Sequence, residues 1–488
     1  MASAELSLFR HRVRDLVKRP LVTCATTVSA VELARRLSRE RVGSVVVVDA
    51  AGGPVGIVTD RDLRRKVVAE GRAAGAVEAA AIMSTPLVTI RAGAFAFEAV
   101  LEMTRRHIRH LVVVDDTRAI GVVSSRDILV LDTTHPVTVA REIGRAATFE
   151  ALAGHARRIT GLARRLLDEG GTAYDIGQLV AELNDRLVLR VLGLTLEALE
   201  SEGETAPPVP WCWLSLGSEA RREQTLRTDQ DNGLVYGDPP EDLAESVARF
   251  YGRFAECAIA GLVQVGFPPC PGGAMASNPR WCQPLAVWRG YFHGWMTTSA
   301  PAHVLEASIY FDLRPLSGAL ELAASLGGLV RTEAPQHHRF LGIVARDVVS
   351  RPFPLTFFGN VRVPRHGAHP GAIDVKGGGS MQLVGAARLL ALQLGLAETN
   401  TVERFRAAAT AGGLGGADVG EITDAFQHLM RLRLAHQLDQ LERGDAPDNL
   451  VEPDALSHVD GLLFRDALQT VRKLQGSIRE RFATDFLP

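Results

Sequence analysis

The sequence predicts a multidomain protein of mixed α/β and α class, and three observations carry that expectation. Residues 1–135 hold two copies of one strand–helix–strand pattern. The stretch Trp211–Tyr236 reads as strand, Gly-Ser turn, short helix, then strand. From about Ala319 onward the chain is patterned mainly as amphipathic helices. The expected divisions are residues 1–135, 136–206, 207–318 and 319–488.

Composition narrows the function classes. A chain of 488 residues with 46% hydrophobic residues suffices for about two to four domains with proper cores. A net charge of -2 exerts no global pull on nucleic acid or an anionic membrane. No run of about 18 apolar residues is present to span a bilayer. The opening MASAELSLFRHRVRDLVKRP places charges where a signal peptide needs its apolar core. Cys24, Cys212, Cys257, Cys270 and Cys282 are scattered and lack CxxC spacing. Neither a disulfide framework nor a zinc site is favoured, and a cytoplasmic location is expected.

In the repeat, Arg41–Leu63 aligns with Arg106–Ile128, so that Gly56, Thr59 and Asp62 match Gly121, Ser124 and Asp127 at a constant offset of 65 residues. Each copy has an extended entry (Pro20–Thr23, Pro86–Thr89), an amphipathic helix (Val28–Arg41, Ala94–His107), two strands, and a helix begun by an Arg-Asp pair. This pattern resembles the tandem CBS domain over both copies. The resemblance implies that Gly-x-x-(Thr/Ser)-x-x-Asp holds the ribose of an adenosine ligand, AMP, ATP or a relative, in the cleft between copies. The residue types suit that role: hydroxyl and carboxylate bond ribose hydroxyls, and Arg61, Arg126, Arg109 and His110 can meet phosphates at the same mouth. The alternative is that Thr59 and Ser124 cap the following helices, with Asp62 and Asp127 in their first turns.

Beyond His135-Pro136, apolar positions fall at helical spacing to Leu166, break at Gly170-Gly171, and resume over Ile176–Leu199. A helical hairpin is expected, either as a packed spacer or as a transmitter between sensor and effector.

In Trp211–Tyr236, the strand Trp211–Leu216 precedes Gly217-Ser218, the helix-forming Glu219–Leu226, a turn that Thr228 can cap, and Asp229-Gln230-Asp231. Carboxylates at i and i+2 on an extended segment share a face. At roughly 4 Å their repulsion is on the order of 4 kcal/mol at an effective dielectric of about 20. Protonation, water or a bound cation relieves it. The string GSEARREQTLRTDQDN resembles the DNA polymerase β nucleotidyltransferase superfamily, and is most similar to its PII uridylyltransferase and glutamine-synthetase adenylyltransferase branch. It looks like the bacterial nucleotidyltransferases that carry CBS domains and are described as signal-transduction proteins.

That resemblance implies transfer of a nucleoside monophosphate from an NTP, usually with two Mg²⁺ ions about 3.5–4 Å apart. Asp229 and Asp231 suit both ions, because Mg²⁺ takes hard oxygen ligands. Gly217, Ser218 and Arg221 suit the triphosphate, and Glu219 must then face outward. Asp312, in Glu306–Leu316, is the candidate third carboxylate, completing one metal or drawing the acceptor's proton; its alternative is a simple pair with Arg314. Asn278, Arg280 and Trp281 suit contact with base or acceptor, or a structural loop pinned by aromatics. Val361–Val363 and Ala372–Val375 read as a hairpin ending in Lys376, which binds phosphate at a helix start or ties the helical domain to the core. The remaining helices are expected at Thr401–Ala409, Glu421–Leu441 and Ser457–Phe482.

The leading expectation is an Mg²⁺-dependent nucleotidyltransferase governed by an adenosine-ligand sensor, acting on an unidentified acceptor, a regulatory protein or a small molecule. A homodimer through the CBS pair is implied by resemblance. The alternative is a nucleotide-responsive signalling protein without turnover. A nucleic-acid-modifying enzyme is disfavoured by the neutral charge and the lack of a basic stripe.

Overall fold

The computed structural model describes residues 8–9, 11–116, 118–128, 136–226, 229–297, 307–356, 359–364, 366, 369–414 and 418–486. Thr228 and His135, both singled out above, lie outside them. The chain divides into two compact units, Met1–Arg141 and Glu142–Pro488. The expected divisions at 206 and 318 fall inside the second unit.

The first unit repeats one module. In the first copy β1 (Thr23–Ala25) runs parallel to β2 (Ser44–Val48), which pairs antiparallel with β3 (Pro54–Thr59). In the second copy β4 (Thr89–Arg91), β5 (His110–Asp115) and β6 (Arg118–Ser124) repeat both the order and the directions. Helix α1 (Ala30–Glu40) is started by Ser29, whose hydroxyl accepts from the Glu32 N–H. It buries Ala30, Leu33 and Leu37 against Val45, Val47 and Val58. Its counterpart α2 (Ala96–Arg105) follows in the second copy. The repeat's glycines serve packing across the copies. A side chain at Gly56 would collide with Met83, and one at Gly121 with Val17, so the lead-in of each copy covers the other copy's glycine.

In the second unit α3 (Phe149–Asp168) and α4 (Ala173–Ser201) form the expected helical pair. The central sheet has the order β10-β7-β8-β9, with β7 (Trp211–Leu216) antiparallel to β8 (Asn232–Tyr236) and to β10 (Leu313–Gly318), while β9 (Cys282–Pro284) runs parallel to β8. Helix α5 (Ala244–Val265) and helix α6 (Leu285–Thr297) follow β8 and β9. The C-terminal helices include α7 (Met381–Leu394), α8 (Thr401–Thr410), α9 (Val419–Arg443) and α10 (His458–Arg481), close to the expected ranges. One hydrophobic core runs from Cys212 and Leu214 on the sheet to Phe464 and Ile478 on α10.

Two local expectations are corrected. Glu219–Leu226 is not a helix. A single turn, Gly217–Ala220, is helical, and the chain then extends through Arg222 at φ +57°. Long-range bonds override the propensity there: Glu223 accepts from the Thr401 N–H at 2.5 Å and Thr225 donates to Gln437 at 2.6 Å. The strand Ile373–Asp374 pairs with Leu450–Val451, not with Val361–Val363; Val361 instead bridges to Leu355. Among the described residues no helix is long and apolar enough to cross a membrane.

Candidate active site

The site grows from β7, whose inner residues Cys212–Leu216 are fully buried. At its end the Leu216 N–H donates to the Asp231 carbonyl at 2.9 Å. Gly217 turns the chain at φ +54°, a left-handed conformation that favours glycine, and donates its N–H to the Asp312 carbonyl at 3.1 Å. A side chain at Gly217 would also press on the Asp231 carboxylate at 3.0 Å. Gly217 therefore makes room for an acid of the protein itself, and its N–H is already spent on Asp312. Ser218 is half-buried on the same turn.

The expected acid pair converges. One ligand atom each from Asp229, Asp231 and Cys270 lie within 4.8 Å of one another. Burial and then the Asp229 charge push the Asp231 carboxyl up to about 6, against the Cys270 thiol, Lys376 and Arg221. Asp231 is only 9% exposed. Among the described residues no backbone or side-chain N–H or O–H bonds its carboxylate; the Cys270 thiol does. A buried carboxylate so placed beside a second one fits a divalent cation.

Asp312 does not join them. It is fully buried just before β10, and three guanidiniums surround it. Arg221 Nη1 lies 2.6 Å from Oδ2, Arg388 Nη2 2.5 Å from Oδ2, and Arg404 Nη1 2.5 Å from Oδ1. Burial alone would raise this carboxyl, yet Arg388, Arg404 and Arg221 together hold it well below the usual range. Both oxygens are committed, so Asp312 completes no metal and takes no proton. Its expected pairing with Arg314 is absent too, because Arg314 donates to Asp185 on α4 at 2.7 Å. Arg221 is likewise spent: Nε donates to Glu223 at 2.8 Å and Nη1 to Asp312. It lends charge to Asp231.

Glu219 was expected to face outward. It is buried instead, 8% exposed, with the Ser215 hydroxyl donating to it at 3.1 Å. Burial and the neighbouring Asp185 charge raise its carboxyl to about 8, so it is neutral at pH 7. Neutralisation removes the conflict with an anionic substrate that an exposed Glu219 was meant to avoid.

Lys376 comes to the diacid from the C-terminal segment. Asp374 Oδ1 accepts the N–H groups of Lys376 and Gly377 at 3.0 and 2.9 Å, which fixes the turn. The ammonium is lowered by burial and by Arg433, against the attraction of Asp229 and Asp231. Arg433, on α9, was not foreseen: it is one basic residue among several in a helical run and has no motif. Burial lowers its guanidinium to about 10, and the charges of Asp374 and Asp229 oppose that shift. Its Nε donates to Asn449 at 2.5 Å.

Trp281 is 3% exposed and packs on Tyr310 with centroids 4.1 Å apart. Asn278 bonds the Gly273 carbonyl and the Arg280 N–H, and the exposed Arg280 lies over the Trp281 ring at 4.5 Å. This is a loop pinned by aromatics, with Trp281 unavailable to stack on a base.

In the first unit, both repeat motifs are capping boxes. Thr59 Oγ1 donates to Asp62 Oδ2 at 2.7 Å and accepts from the Asp62 N–H at 3.3 Å. Ser124 and Asp127 do the same at 2.5 and 3.3 Å. In the first copy Asp62 Oδ1 also meets Lys66 Nζ at 3.0 Å and accepts from the Ser84 hydroxyl at 3.5 Å, and position 131, which corresponds to Lys66 at the repeat offset, is Leu. His110 is lowered by burial and Arg109, while Asp127, Asp60 and Asp62 pull it upward, so it lies in the field of acids from both copies. Arg61, Arg109 and Arg126 are exposed.

Family models match most of the chain. One described as "Putative nucleotidyltransferase DUF294" matches residues 157–302, one described as "Putative nucleotidyltransferase substrate binding domain" matches 338–482, and the CBS domain model matches 13–69 and 79–141. The chain belongs to the family described as "Putative nucleotidyltransferase DUF294", in a form that carries a CBS pair. An uncharacterized protein of Methanopyrus kandleri is 37% identical over 132 residues, 27% of this chain and 67% of that protein. The CBS domain-containing protein YhcV of Bacillus subtilis is 30% identical over 118 residues, 24% of this chain and 83% of that protein. A CBS domain protein from Pyrobaculum aerophilum, solved as its complex with AMP, is similar at 31% identity and a TM-score of 0.24, covering 25% of this chain and 94% of that one.

Proposed function

We propose that the second unit transfers a nucleoside monophosphate from an NTP to an acceptor, a protein or a small molecule, and that adenine nucleotide at the CBS pair governs it. The observation that carries this is the Asp229–Asp231 pair with Lys376 and Arg433 in its field. Asp229 and Asp231 would hold Mg²⁺, and the residues fit one such ion, since the carboxylate meant for a second belongs to three arginines. Bound there, the cation would neutralise the triphosphate and the charge developing at the transferred phosphorus. Lys376 and Arg433 supply fixed positive charge to the leaving pyrophosphate, and the Ser218 hydroxyl offers a hydrogen bond beside them. Asp312 acts at one remove, by fixing Arg221, whose charge falls on Asp231. Glu219, neutral, adds no repulsion.

At the CBS pair, Ser124/Asp127 and Thr59/Asp62 offer ribose partners, and the exposed Arg61 and Arg126 with the half-buried His110 would meet the phosphates. Residues 1–135 are then the sensor, 136–206 the connector, 207–318 the transferase segment and 319–488 its substrate-binding partner. A CBS-mediated homodimer and a cytoplasmic setting, in keeping with the free cysteines, complete the reading.

The test is incubation with Mg²⁺, each labelled NTP and a panel of acceptors. Pyrophosphate release that Asp229→Asn abolishes is expected; its absence across the whole panel sinks the enzyme reading. The withdrawn Asp312 favours a second reading, a nucleotide-binding signalling protein without turnover. Calorimetry would then show NTP binding with no NTP consumed.

A further inference from the structure

Cys270 is placed on the diacid by a loop laced to the acids' own backbone. On one side of Asp231 the Gln230 N–H donates to the Pro268 carbonyl at 2.9 Å, and its side-chain amide to Phe267 at 3.0 Å. On the other side the Asn232 N–H donates to Ala274 at 3.0 Å, while its side-chain oxygen accepts from the Ala276 N–H at 2.9 Å. Between these staples the Gly273 N–H donates to the Cys270 carbonyl at 3.0 Å, closing the turn that aims the sulfur inward. The sulfur is within 4.8 Å of a ligand oxygen from each acid. One feature points to a cation there: the nine-tenths buried Asp231 carboxylate has no N–H or O–H partner among the described residues. The expected third oxygen donor, Asp312, is held elsewhere, which leaves that place to the sulfur.

We propose that Cys270 is the third protein ligand of the cation held by Asp229 and Asp231, and that its sulfur turns the site toward a borderline cation such as Co²⁺ or Zn²⁺ over Mg²⁺. The proposal rests on the cation reading of the diacid given above. Mg²⁺ takes oxygen donors and keeps its waters, whereas thiolate sulfur selects softer ions. As the sulfur–metal bond forms, the thiol proton leaves to solvent.

The experiment uses the full chain with Co²⁺ as probe. A sulfur-to-cobalt charge-transfer band in the near ultraviolet is expected for the wild type. Cys270→Ser and Cys270→Ala are expected to lose it while still binding Co²⁺ by calorimetry, with circular dichroism confirming the fold. The Co²⁺-over-Mg²⁺ affinity ratio is expected to fall about tenfold or more in Cys270→Ser, the scale on which metal-site neighbours act. Wild-type protein that binds Co²⁺ in an Asp229-dependent way, without the band and with the same affinity ratio as Cys270→Ser, overturns the ligand role alone. Co²⁺ binding indifferent to Asp229→Asn overturns the cation reading of the diacid as well.

Discussion

Asp312 and Arg404 stand 92 positions apart in the chain, yet their carboxylate oxygen and guanidinium nitrogen meet at 2.5 Å in a fully buried setting. With Arg221 and Arg388 on the same carboxylate, this contact binds the transferase sheet to the C-terminal helices.

Removing that carboxylate leaves buried guanidiniums unpaired, so Asp312→Ala is expected to cost on the order of 3–5 kcal/mol in denaturant unfolding. Asp312→Asn should also destabilise strongly. A variant of wild-type stability with abolished turnover would make Asp312 a catalytic acid after all.

Asp231 is strained by its neighbour when no cation is bound. Its folded carboxyl, about 6, lies above the ordinary 3.8, so its contribution to stability is full below about pH 4 and lost as the pH rises through 6. Asp231→Asn is expected to be more stable than the wild type at pH 7 without metal, by about 1–3 kcal/mol, and to lose the stabilisation that added divalent cation gives the wild type. Thermal melts with and without cation check both.

Glu219 carries the same sign further up the scale. Its carboxyl, raised from 4.5 to about 8, favours the fold when neutral, a contribution that is full below about pH 4.5 and lost as the pH rises to about 8. Glu219→Gln should flatten the loss of stability between about pH 5 and 8, an effect on the order of 2–4 kcal/mol across that window. A parallel pH–stability curve for the two proteins would show that Glu219 titrates normally.

Lys376→Met keeps the stem and deletes the charge. A rise in NTP KM of tenfold or more is expected with little change in melting temperature, because the ammonium's field falls on the diacid and not on a structural partner. An unaltered KM assigns Lys376 to the fold.

In the CBS pair, the Ser124→Ala/Asp127→Ala double variant should weaken AMP binding more than Thr59→Ala/Asp62→Ala, because Lys66 already engages the first copy's carboxylate. Each pair also loses a helix cap, about 1 kcal/mol. Equal losses, read by calorimetry, would show the copies to be equivalent toward the ligand.

Much of this was legible in the chain itself. A repeat with constant offset, a buried strand ending at Gly217-Ser218, and helices with clear apolar stripes each carry a local signal, and each element formed near its expected range. Asp229 and Asp231 were readable because their closeness follows from strand geometry within three residues. Asp312 was misread because its neighbours Arg388 and Arg404 lie far down the chain, and no spacing announces a contact across such a gap. Glu219 was misplaced for a related reason: α4 brings Asp185 and its partner Arg314 to the turn, and that company exists only after folding. Cys270 and Arg433 had no motif, since a lone cysteine in a Pro-Gly loop and one arginine in a basic helix look like many others.

The arginine ring around Asp312 also bears on how the molecule came to be one piece. Two of its three cations, Arg388 and Arg404, arise beyond residue 319, while the acid and Arg221 arise before it. Neither half is electrically complete. During synthesis Asp312 has Arg221 alone for company until α7 and α8 emerge from the ribosome, and a chain shortened after Gly318 would hold that deficit permanently. Anyone seeking a minimal catalytic fragment must therefore cut outside both halves together, keeping sheet and helices as an inseparable inheritance.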